Sequence, residues 1–523
     1  MLLVVLGCNS GTGRSASTDA GVPEAAASAR PAPSAFSAGN DAGPAPAASA
    51  EITSPVGKPV AAIADAVTTL TRVIAGFGGQ IGVAVMDVAS GELVAARNDR
   101  KLLNPASNAK LFTAAAALSL LHGNYRFETG LYGEQKGASV ARLVLRGHGD
   151  PSLHTRDLWD LVQDLKNAGV RRVEGDVLVD QRFFDDSHVP PAFEQQPNEW
   201  AYFRAPISAV ALNENTITMR VRPTAVDAPA AVSFDPPGYV DADGIVKTAA
   251  ADQPQSVKLD LAPVGARLVA HLGGVIPESA RPIGFTRRVD NPDLLAGYAL
   301  KALLLSAGIA VGGDVKLGGE AMKNLIVLHR SRPLSDLVYE LGKQSNNFYA
   351  EMVLKTLGAE KKGRPGTSAD GADMVMRYLK DIGATEDGVV IKNGSGLYDA
   401  DRVTASSTVK LLRAAYRDPA MSSEFVAQLA IGGVDGTLHR RFSEHKSKRI
   451  VRAKTGTLES ITALSGYVLG PPGKGPLAFS ILVNNIAGKV TGSRAAVDRC
   501  VDAMVRHLWR SARDAEAEPV IRR

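Results

Sequence analysis

Three short polar motifs, separated by long stretches of chain, put the strongest constraint on how this 523-residue sequence folds. They are S-N-A-K at Ser107–Lys110, S-N-N at Ser345–Asn347 and K-T-G-T at Lys454–Thr457. Each can supply part of an acyl-transfer site, and each is too short to carry meaning alone. A fold in which all three act must bring early, middle and late parts of the chain to one cleft.

The first motif supplies a nucleophile and a base. Serine is a poor nucleophile at neutral pH and needs an adjacent base. Ser107 and Lys110 are three residues apart, so at the start of a helix they project from the same face. Lysine acts as a base only when neutral, and its reference pKa of about 10.4 keeps it charged at pH 7. The apolar run Lys110–Leu121 predicts a helix buried all round, so burial and the second cation Lys454 are both expected to lower the pKa of Lys110.

The second motif predicts a turn between helices, from which Ser345 and Asn347 point into one cleft. Ser345 could relay a proton between Lys110 and a leaving amine. The amide of Asn347 could hold both Lys110 and a carbonyl of the substrate backbone.

The third motif follows a β-like run, as expected for an edge strand that faces a substrate. Gly456 allows a close approach of the backbone. Lys454 and the hydroxyls of Thr455 and Thr457 suit a substrate carboxylate through charge-assisted hydrogen bonds. The backbone N–H groups of Ser107 and Thr457 are expected to form the oxyanion hole.

Strand patterns occur at both ends of the folded region. Ile81–Asp87 and Leu93–Arg97 flank a short turn near the start, and three further strand patterns lie near the end, at Ile450–Ala453, Ala463–Leu469 and Leu477–Asn484. Strands from both ends around a buried helix predict an α/β sandwich whose sheet joins the N- and C-terminal parts of the chain.

The chain is too long for one ordinary hydrophobic core. Short β-like segments separated by Gly, Pro and Asp fill residues 131–318, which is too long for a loop of a compact domain. We therefore expect a catalytic domain built from residues 59–130 and 319–523, with one or two inserted domains, mostly β, at 131–318.

The first residues resemble the lipid-attachment site of a bacterial lipoprotein. A short apolar run ends at Cys8, but the charged start of a signal peptide is missing, so residues 1–8 are interpreted as a truncated signal segment. Residues 9–58 are rich in Ala, Ser and Pro and predict a disordered tether. Together these features predict a periplasmic protein that a lipid on Cys8 would attach to a membrane.

Composition excludes several classes of function. The net charge of +5 from 59 basic and 54 acidic residues is a mild bias, and we expect no nucleic-acid partner. One local basic cluster is interpreted as a solvated loop; it comprises Arg440, Arg441, Lys446, Lys448 and Arg449. The histidines lack metal-ligand spacing, so neither a metal nor another cofactor is predicted. Cys500 is interpreted as a core residue.

The motifs in this order resemble those of the D-alanyl-D-alanine carboxypeptidase/endopeptidases, the class C low-molecular-mass penicillin-binding proteins. Four further segments are similar to segments of that family: Gly147–Leu153, Ala205–Asn213, Asn393–Leu397 and Gly433–Leu438. The resemblance covers about residues 60–509 and includes the long insert. It implies a β-lactamase/transpeptidase-like sandwich, with an antiparallel sheet between helices and a mostly β insert.

The same resemblance implies hydrolysis of the terminal D-Ala-D-Ala bond of peptidoglycan stem peptides, often with cleavage of cross-links, and covalent trapping by β-lactams. It implies roles for the motif residues: acylated Ser107, the base Lys110, Ser345 and Asn347 in the second motif, and Lys454, Thr455 and Thr457 on the substrate carboxylate. Two positions depart from the family pattern, because S-N-N replaces the commoner S-D-N and Asn393 replaces an Asp.

Three alternatives remain open from the sequence. A β-lactamase of the common type carries a further Glu in an E-x-x-L-N setting between the second and third motifs, and the sequence has no such segment there. An esterase could use the same scaffold, because the cleft selects the acyl donor. A catalytically silent wall-binding lipoprotein would be favoured by loss of a motif residue.

Overall fold

The computed structural model describes residues 53–516, apart from Lys58, Asn198 and Glu320. The predicted signal segment with Cys8, and the predicted tether up to residue 52, lie outside the described residues. The α-helices, in chain order, are α1 (Ala61–Gly76), α2 (Ala109–Leu121), α3 (Thr155–Asn167), α4 (Leu295–Ser306), α5 (Leu334–Gly342), α6 (Asn347–Lys361), α7 (Ser368–Asp381), α8 (Ala405–Arg417), α9 (Ser422–Ala427) and α10 (Val490–Glu516).

The strands lie in six sheets of the described chain. In chain order they are β1 (Gln80–Asp87), β2 (Leu93–Arg97), β3 (Glu128–Tyr132), β4 (Gln135–Lys136), β5 (Ser139–Val140), β6 (Leu143–Gly147), β7 (Arg172–Val173), β8 (Val177–Asp180), β9 (Thr216–Arg222), β10 (Ala231–Asp235), β11 (Val240–Gly244), β12 (Lys247–Ala249), β13 (Lys258–Val264), β14 (Arg267–Gly273), β15 (Val275–Pro277), β16 (Ile283–Arg288), β17 (Ala310–Val311), β18 (Val315–Leu317), β19 (Leu325–Arg330), β20 (Ala430–Ile431), β21 (Val451–Leu458), β22 (Ile461–Val468) and β23 (Leu477–Asn484).

The largest sheet joins the two ends of the folded chain. Its six strands lie in the order β2-β1-β23-β22-β21-β20, and every neighbouring pair is antiparallel. β1 pairs with β23 over its whole length, from Gln80 opposite Asn484 to Asp87 opposite Leu477. The prediction that strands from both ends form one sheet is therefore confirmed.

Helices cover both faces of this sheet, because its strands are apolar on both sides. On one face α1 and α10 pack together over Val83, Phe479 and Ile481. On the other face α2, α6 and α8 belong to a second core that includes Phe112, Val353 and Leu411. The predicted burial of α2 is confirmed, since eleven of its thirteen residues are buried.

Residues 131–318 contain mixed sheets together with two helices. The strands β18, β8, β6, β3 and β19 form a five-stranded sheet in that order, and α3 and α4 pack into the same core. Helix α3 is absent from the sequence-based expectation of a mostly β region. Because β3 and β19 pair in this sheet, it includes chain from both sides of each predicted boundary. The boundaries themselves stay a prediction.

No helix in the described part of the chain combines the length and apolar character that crossing a bilayer requires.

Candidate active site

The turn that carries Ser107 is attached to the end of the central strand β23. Ala106–Asn108 form a single 3-10 turn that leads directly into α2. Before it, Asn104 N donates to Asn484 Oδ1 at 2.9 Å, and Asn484 Nδ2 donates back to Asn104 O at 3.0 Å. Asn104 Oδ1 also accepts from Ala106 N at 2.8 Å. These bonds fix the position of Ser107 relative to the sheet.

Lys110 lies below Ser107 on the first turn of α2. Its Nζ donates to Ser107 Oγ at 3.1 Å, to Asn347 Oδ1 at 2.7 Å and to the backbone carbonyl of Ser395 at 2.8 Å. The side chain is 1% exposed. All three acceptors are uncharged, so the amine is held in place by groups that do not oblige it to carry a charge.

Burial lowers the pKa of Lys110 to about 7, although the carboxylates of Glu351 and Asp401 oppose the effect. The sequence predicted that Lys454, as a second cation, would also lower the pKa of Lys110, but burial accounts for the lowering in the structure. The repulsion between the two lysines adds to burial in lowering the pKa of Lys454 well below its usual value. At neutral pH, Lys110 therefore exchanges readily between its charged and neutral forms.

The second motif connects α5 to α6. Ser345 has φ of +61°, a left-handed conformation that is strained for a non-glycine residue and is typical of functional sites. Helix α5 has already ended at Gly342, and Ser345 Oγ accepts a hydrogen bond from Lys454 Nζ at 2.7 Å. Asn347, the first residue of α6, donates through Nδ2 to Phe203 O at 3.0 Å.

The third motif lies on β21. The neighbouring strand β20 pairs only with Arg452 and Ala453, so within the described chain the rest of β21 has a strand partner on one side only. Thr455 Oγ1 donates to Thr437 Oγ1 at 2.8 Å, and Thr457 Oγ1 accepts from Arg494 Nη2 at 2.8 Å. The two hydroxyls lie on the same face of the strand, because they are two residues apart.

Lys454 itself is directed into the protein from β21. Its side chain is completely buried, and Nζ also donates to Thr455 O at 2.8 Å. Gly456 lies where β21 approaches the nucleophile turn: a Cβ at this position would be 2.8 Å from Pro105 O and 3.1 Å from Ala106 Cβ. Only glycine therefore lets the strand come this close to Ser107.

The motifs meet in a cleft of about 780 Å³, and residues from all three line it: Ser107, Ser345, Asn347 and Thr457. A larger cavity of about 1060 Å³ lies beside the five-stranded sheet, against Arg146, Asp180 and Phe183, and none of the motif residues lines it. The smaller cleft is the candidate active site, because it contains the chemistry.

One group of described side chains has the spacing to hold a metal ion, namely Glu444, His445 and Asp502. None of the three lines the cleft. His445 Nε2 lies 3.1 Å from Asp502 Oδ1, so an ordinary histidine–carboxylate contact accounts for the grouping.

Several residues at the site were not identified from the sequence. Ser395 and Thr437 lie in segments that had been noted only as similar to family segments, and Glu351 and Arg494 belong to no motif. Ser395 and Thr437 could have been found from those segments. Glu351 and Arg494 could not, because only the fold brings them to the cleft. Cys500, by contrast, is buried as predicted.

The arrangement defines a class of enzyme. A serine hydroxyl within hydrogen-bond reach of a buried amine, whose pKa is close to neutral, is equipped for nucleophilic catalysis through an acyl-enzyme. A second lysine–serine pair stands across the same cleft, and hydroxyl groups extend along the adjoining strand. These are the features of a serine acyl-transfer enzyme that uses lysine in place of histidine.

Comparison with known proteins identifies the family. The model of the D-Ala-D-Ala carboxypeptidase 3 (S13) family matches residues 68–506. The chain is 36% identical over 430 residues to a D-alanyl-D-alanine carboxypeptidase of Actinomadura sp., which covers 79% of each protein. It is 25% identical over 422 residues to the D-alanyl-D-alanine carboxypeptidase DacB of Haemophilus influenzae, covering 78% of this chain and 86% of the relative.

The fold agrees with a solved structure. Penicillin binding protein 4 from Haemophilus influenzae superposes with a TM-score of 0.69 at 23% identity, covering 85% of this chain and 99% of that one. The chain therefore belongs to the D-Ala-D-Ala carboxypeptidase 3 (S13) family, as the sequence motifs indicated. It is a serine-type carboxypeptidase, and the predicted sandwich fold is confirmed.

Proposed function

We propose that this protein hydrolyses the terminal D-Ala-D-Ala bond of peptidoglycan stem peptides through an acyl-enzyme on Ser107. One observation carries the assignment of the nucleophile: Lys110 Nζ lies 3.1 Å from Ser107 Oγ, and burial lowers the pKa of Lys110 to about 7. About half of the lysine is then neutral at pH 7 and can accept a proton. The family relationship supports the choice of substrate.

In the acylation step, neutral Lys110 accepts the proton of the Ser107 hydroxyl while Oγ attacks the carbonyl carbon of the penultimate D-Ala. Negative charge moves to the carbonyl oxygen, where the backbone N–H groups of Ser107 and Thr457 stabilise it. The C–N bond then breaks, and Lys110 returns its proton through Ser345 to the leaving amine. The products are free D-Ala and an ester on Ser107.

Deacylation repeats these events with water. Lys110 takes a proton from a water molecule, and the oxygen of that water attacks the ester carbonyl. When the ester bond breaks, Ser107 recovers its proton from Lys110 and the shortened stem peptide leaves as a carboxylic acid. No proton, electron or other group is gained or lost by the enzyme over the cycle.

The substrate carboxylate binds at the third motif in this proposal. Thr455 and Thr457 offer hydroxyls on one face of β21, and Lys454 Nζ lies beneath the strand as a further hydrogen-bond donor. Arg494 adds a guanidinium that already donates to Thr457. A free carboxylate at this position favours removal of a terminal residue, and cleavage of cross-links is proposed for the same cleft.

β-Lactams are proposed as covalent inhibitors. Ser107 would attack the lactam carbonyl, the ring amide would open, and the amine would remain attached to the acyl group. The departing amine therefore cannot diffuse away, as free D-Ala does, and it stays in the cleft. A β-lactam complex of penicillin binding protein 4 from Haemophilus influenzae has been solved on the same fold.

We also propose that the enzyme works in the periplasm and that a lipid on Cys8 attaches it to a membrane. The apolar run before Cys8 and the Ala/Ser/Pro-rich sequence after it support this location. Such a tether would let the catalytic domain reach peptidoglycan at some distance from the lipid. Metabolic labelling with a fatty acid, compared between the wild type and Cys8→Ala, tests the attachment.

Two measurements test the catalytic proposal. A fluorescent penicillin should form a stable adduct with the wild-type protein and none with Ser107→Ala. Mass spectrometry of purified muropeptides should detect loss of one terminal alanine with the wild type alone. Rapid turnover of the penicillin would instead indicate a β-lactamase, and an adduct that persists in Ser107→Ala would contradict the assigned nucleophile.

A further inference from the structure

The loop Lys392–Leu397, here the 392–397 loop, lies between α6 and the nucleophile turn. A Cβ on Gly394 would be 2.5 Å from Ala350 O, on α6. Gly396 has φ of +71°, and a Cβ there would be 1.9 Å from Ala106 O, next to Ser107. Both glycines are required by these close approaches, so the loop has little freedom to move relative to either neighbour.

This loop supplies one of the three acceptors that hold Lys110, the carbonyl of Ser395. Glu351 is one of the side chains that fix the conformation of the loop. Glu351 Oε1 accepts from Ser395 N at 2.8 Å, and Oε2 accepts from Gly394 N at 3.0 Å. Because each oxygen accepts a backbone N–H, these two bonds favour the ionised carboxylate over the protonated form.

Glu351 lies one helical turn after Asn347 on α6, so both side chains are on the same face of the helix. Asn347 contacts Lys110 directly, whereas Glu351 contacts it through the Ser395 carbonyl. Glu351 is 1% exposed. Burial raises the pKa of the Glu351 carboxyl, whereas its hydrogen bonds with Ser395 and Gly394 and the nearby Lys110 oppose that rise. When Glu351 is ionised, solvent screens its effect on Lys110 little.

A second buried carboxylate holds the start of the loop in a different manner. Asp401 Oδ1 alone accepts from both Lys392 N, at 2.8 Å, and Asn393 N, at 3.3 Å. An amide oxygen could replace Oδ1 in both bonds. The side chain of Glu351 has no such substitute, because a glutamine would turn its NH₂ group towards one of the two backbone donors.

We propose that Glu351 is a positioning residue, which orients Lys110 through the Ser395 carbonyl and opposes the desolvation of its ammonium form by its own charge. The inference rests on the proposed role of Lys110 as the base. The charged groups that face Lys110 are Glu351 on α6, Asp401 after the 392–397 loop and Lys454 on β21. The two carboxylates stabilise protonated Lys110 when they are ionised, and burial raises the pKa of both, that of Asp401 to about 7.

The test is the rate at which a fluorescent penicillin acylates the enzyme, measured from pH 5 to 9 per folded molecule. In Glu351→Gln the loss of negative charge should move the rising part of the pH profile about one unit lower. The looser Ser395 carbonyl should lower the maximal rate roughly tenfold. A variant that only lowers the stability of the fold, with the site assembled correctly, would change neither the position of the pH profile nor the maximal rate per folded molecule.

Two further variants separate charge from position. Asp401→Asn keeps the acceptor oxygen of the loop, so it should move the pH profile in the same direction with a smaller loss of maximal rate. Asp180→Asn removes another buried carboxylate, which lies in the five-stranded sheet and has no contact with Lys110. It should leave both the profile and the rate per folded molecule unchanged.

A profile for Glu351→Gln that coincides with the wild type, or moves to higher pH, would overturn the inference. If Glu351→Gln does not fold, Glu351→Asp decides, since a maximal rate equal to that of the wild type would exclude a positioning role. A wild type that is not acylated, or that is acylated without dependence on pH, would instead overturn the proposed function. The two failures are thus distinguishable.

Discussion

The active-site cleft and the five-stranded sheet both bury charged side chains, but the charges have different partners. In the sheet, Asp180 is 2% exposed and accepts from Arg146 Nε at 2.6 Å and Arg182 Nη2 at 2.9 Å. In the cleft, Lys110 is as deeply buried and donates only to a hydroxyl, an amide oxygen and a backbone carbonyl. One region pairs its charge directly, and the other does not.

The difference determines which protonation states are available. Burial alone would raise the pKa of Asp180, but hydrogen bonds from Arg182 and Arg146 outweigh it and hold the pKa below its usual range. Burial lowers the pKa of Lys110 to about 7, and the more distant carboxylates only partly oppose it. A direct ion pair fixes a charge, whereas neutral hydrogen-bond partners allow the charge to change during catalysis.

The largest effect is expected from Lys110→Arg. A guanidinium stays protonated at every working pH, so the variant cannot accept the proton of Ser107. The acylation rate by a fluorescent penicillin should fall about a thousandfold, the upper range for loss of a general base. Lys355→Arg is the matched control, because Lys355 is a buried lysine that is ion-paired with Asp185. A fall in the acylation rate of less than tenfold in Lys110→Arg would show that Lys110 is not the base, and the contrast between the two regions would then be wrong.

Asp180→Asn should have the next largest effect. It should change the stability of the fold and leave the acylation rate per folded molecule unaltered. It leaves Arg146, which is largely buried, without its charged partner, so the free energy of unfolding should fall by about 3 kcal/mol. Denaturation by urea measures this change. An unaltered unfolding midpoint would show that the sheet gains nothing from the ion pair.

Acidification provides the third test, because the active-site cleft should respond to it and the five-stranded sheet should not. Below pH 7 Lys110 becomes protonated, so the acylation rate should fall tenfold per pH unit, about a hundredfold at pH 5. Asp180, whose pKa is lowered, remains ionised over this range and loses its contribution to stability only below about pH 4. The difference in unfolding free energy between the wild type and Asp180→Asn should therefore be the same at pH 7 and at pH 5, and this comparison serves as the control. A rate that does not fall would place the titrating base elsewhere.

The smallest effect is expected from Thr457→Val. This change removes a hydroxyl that faces the cleft and accepts from Arg494. One lost hydrogen bond to the substrate carboxylate corresponds to about 1 kcal/mol, or roughly a fivefold rise in KM for a D-Ala-D-Ala peptide. A peptide with an amidated C-terminus should be indifferent to the change. An equal rise for both peptides would argue against carboxylate binding at Thr457.

The sequence predicted the sandwich because its signals are local and strong. The apolar run Lys110–Leu121 can only be a buried helix, and α2 spans Ala109–Leu121. The strand Leu477–Asn484 coincides with β23, since a largely apolar run of this length, interrupted only by Ser480 before Asn484, suits a central strand. The order of the three motifs then required the two ends of the chain to share a sheet.

Residues 131–318 were predicted less well. Helix α3 carries Leu158, Leu161, Val162 and Leu165 at helical spacing, a signal that was present but was outweighed by the surrounding β-like segments. The sheet order β18-β8-β6-β3-β19 combines parallel and antiparallel neighbours from distant parts of the chain. Local patterns do not encode such pairings.

The supporting residues of the site show the same limit. The role of Asn393, left open by the sequence, is structural: its Oδ1 accepts from Gly396 N at 2.8 Å, and its Nδ2 donates to Pro191 O at 2.9 Å. Glu351 resembles any polar residue within a helix until the fold brings Gly394 and Ser395 against it. Motifs identify the groups that react, and tertiary structure alone identifies the groups that hold them.

The reciprocal bonds between Asn104 and Asn484 join positions 380 residues apart. The ribosome must therefore synthesise the chain as far as β23 before Ser107 acquires its final position. Until then the turn that carries Ser107 lacks its bonds to Asn484. A chain that terminates before β23 is therefore expected to be catalytically inactive. Reactivity towards peptides is thus expected only after β23 has joined the sheet, which spares shorter nascent chains from acylation during synthesis.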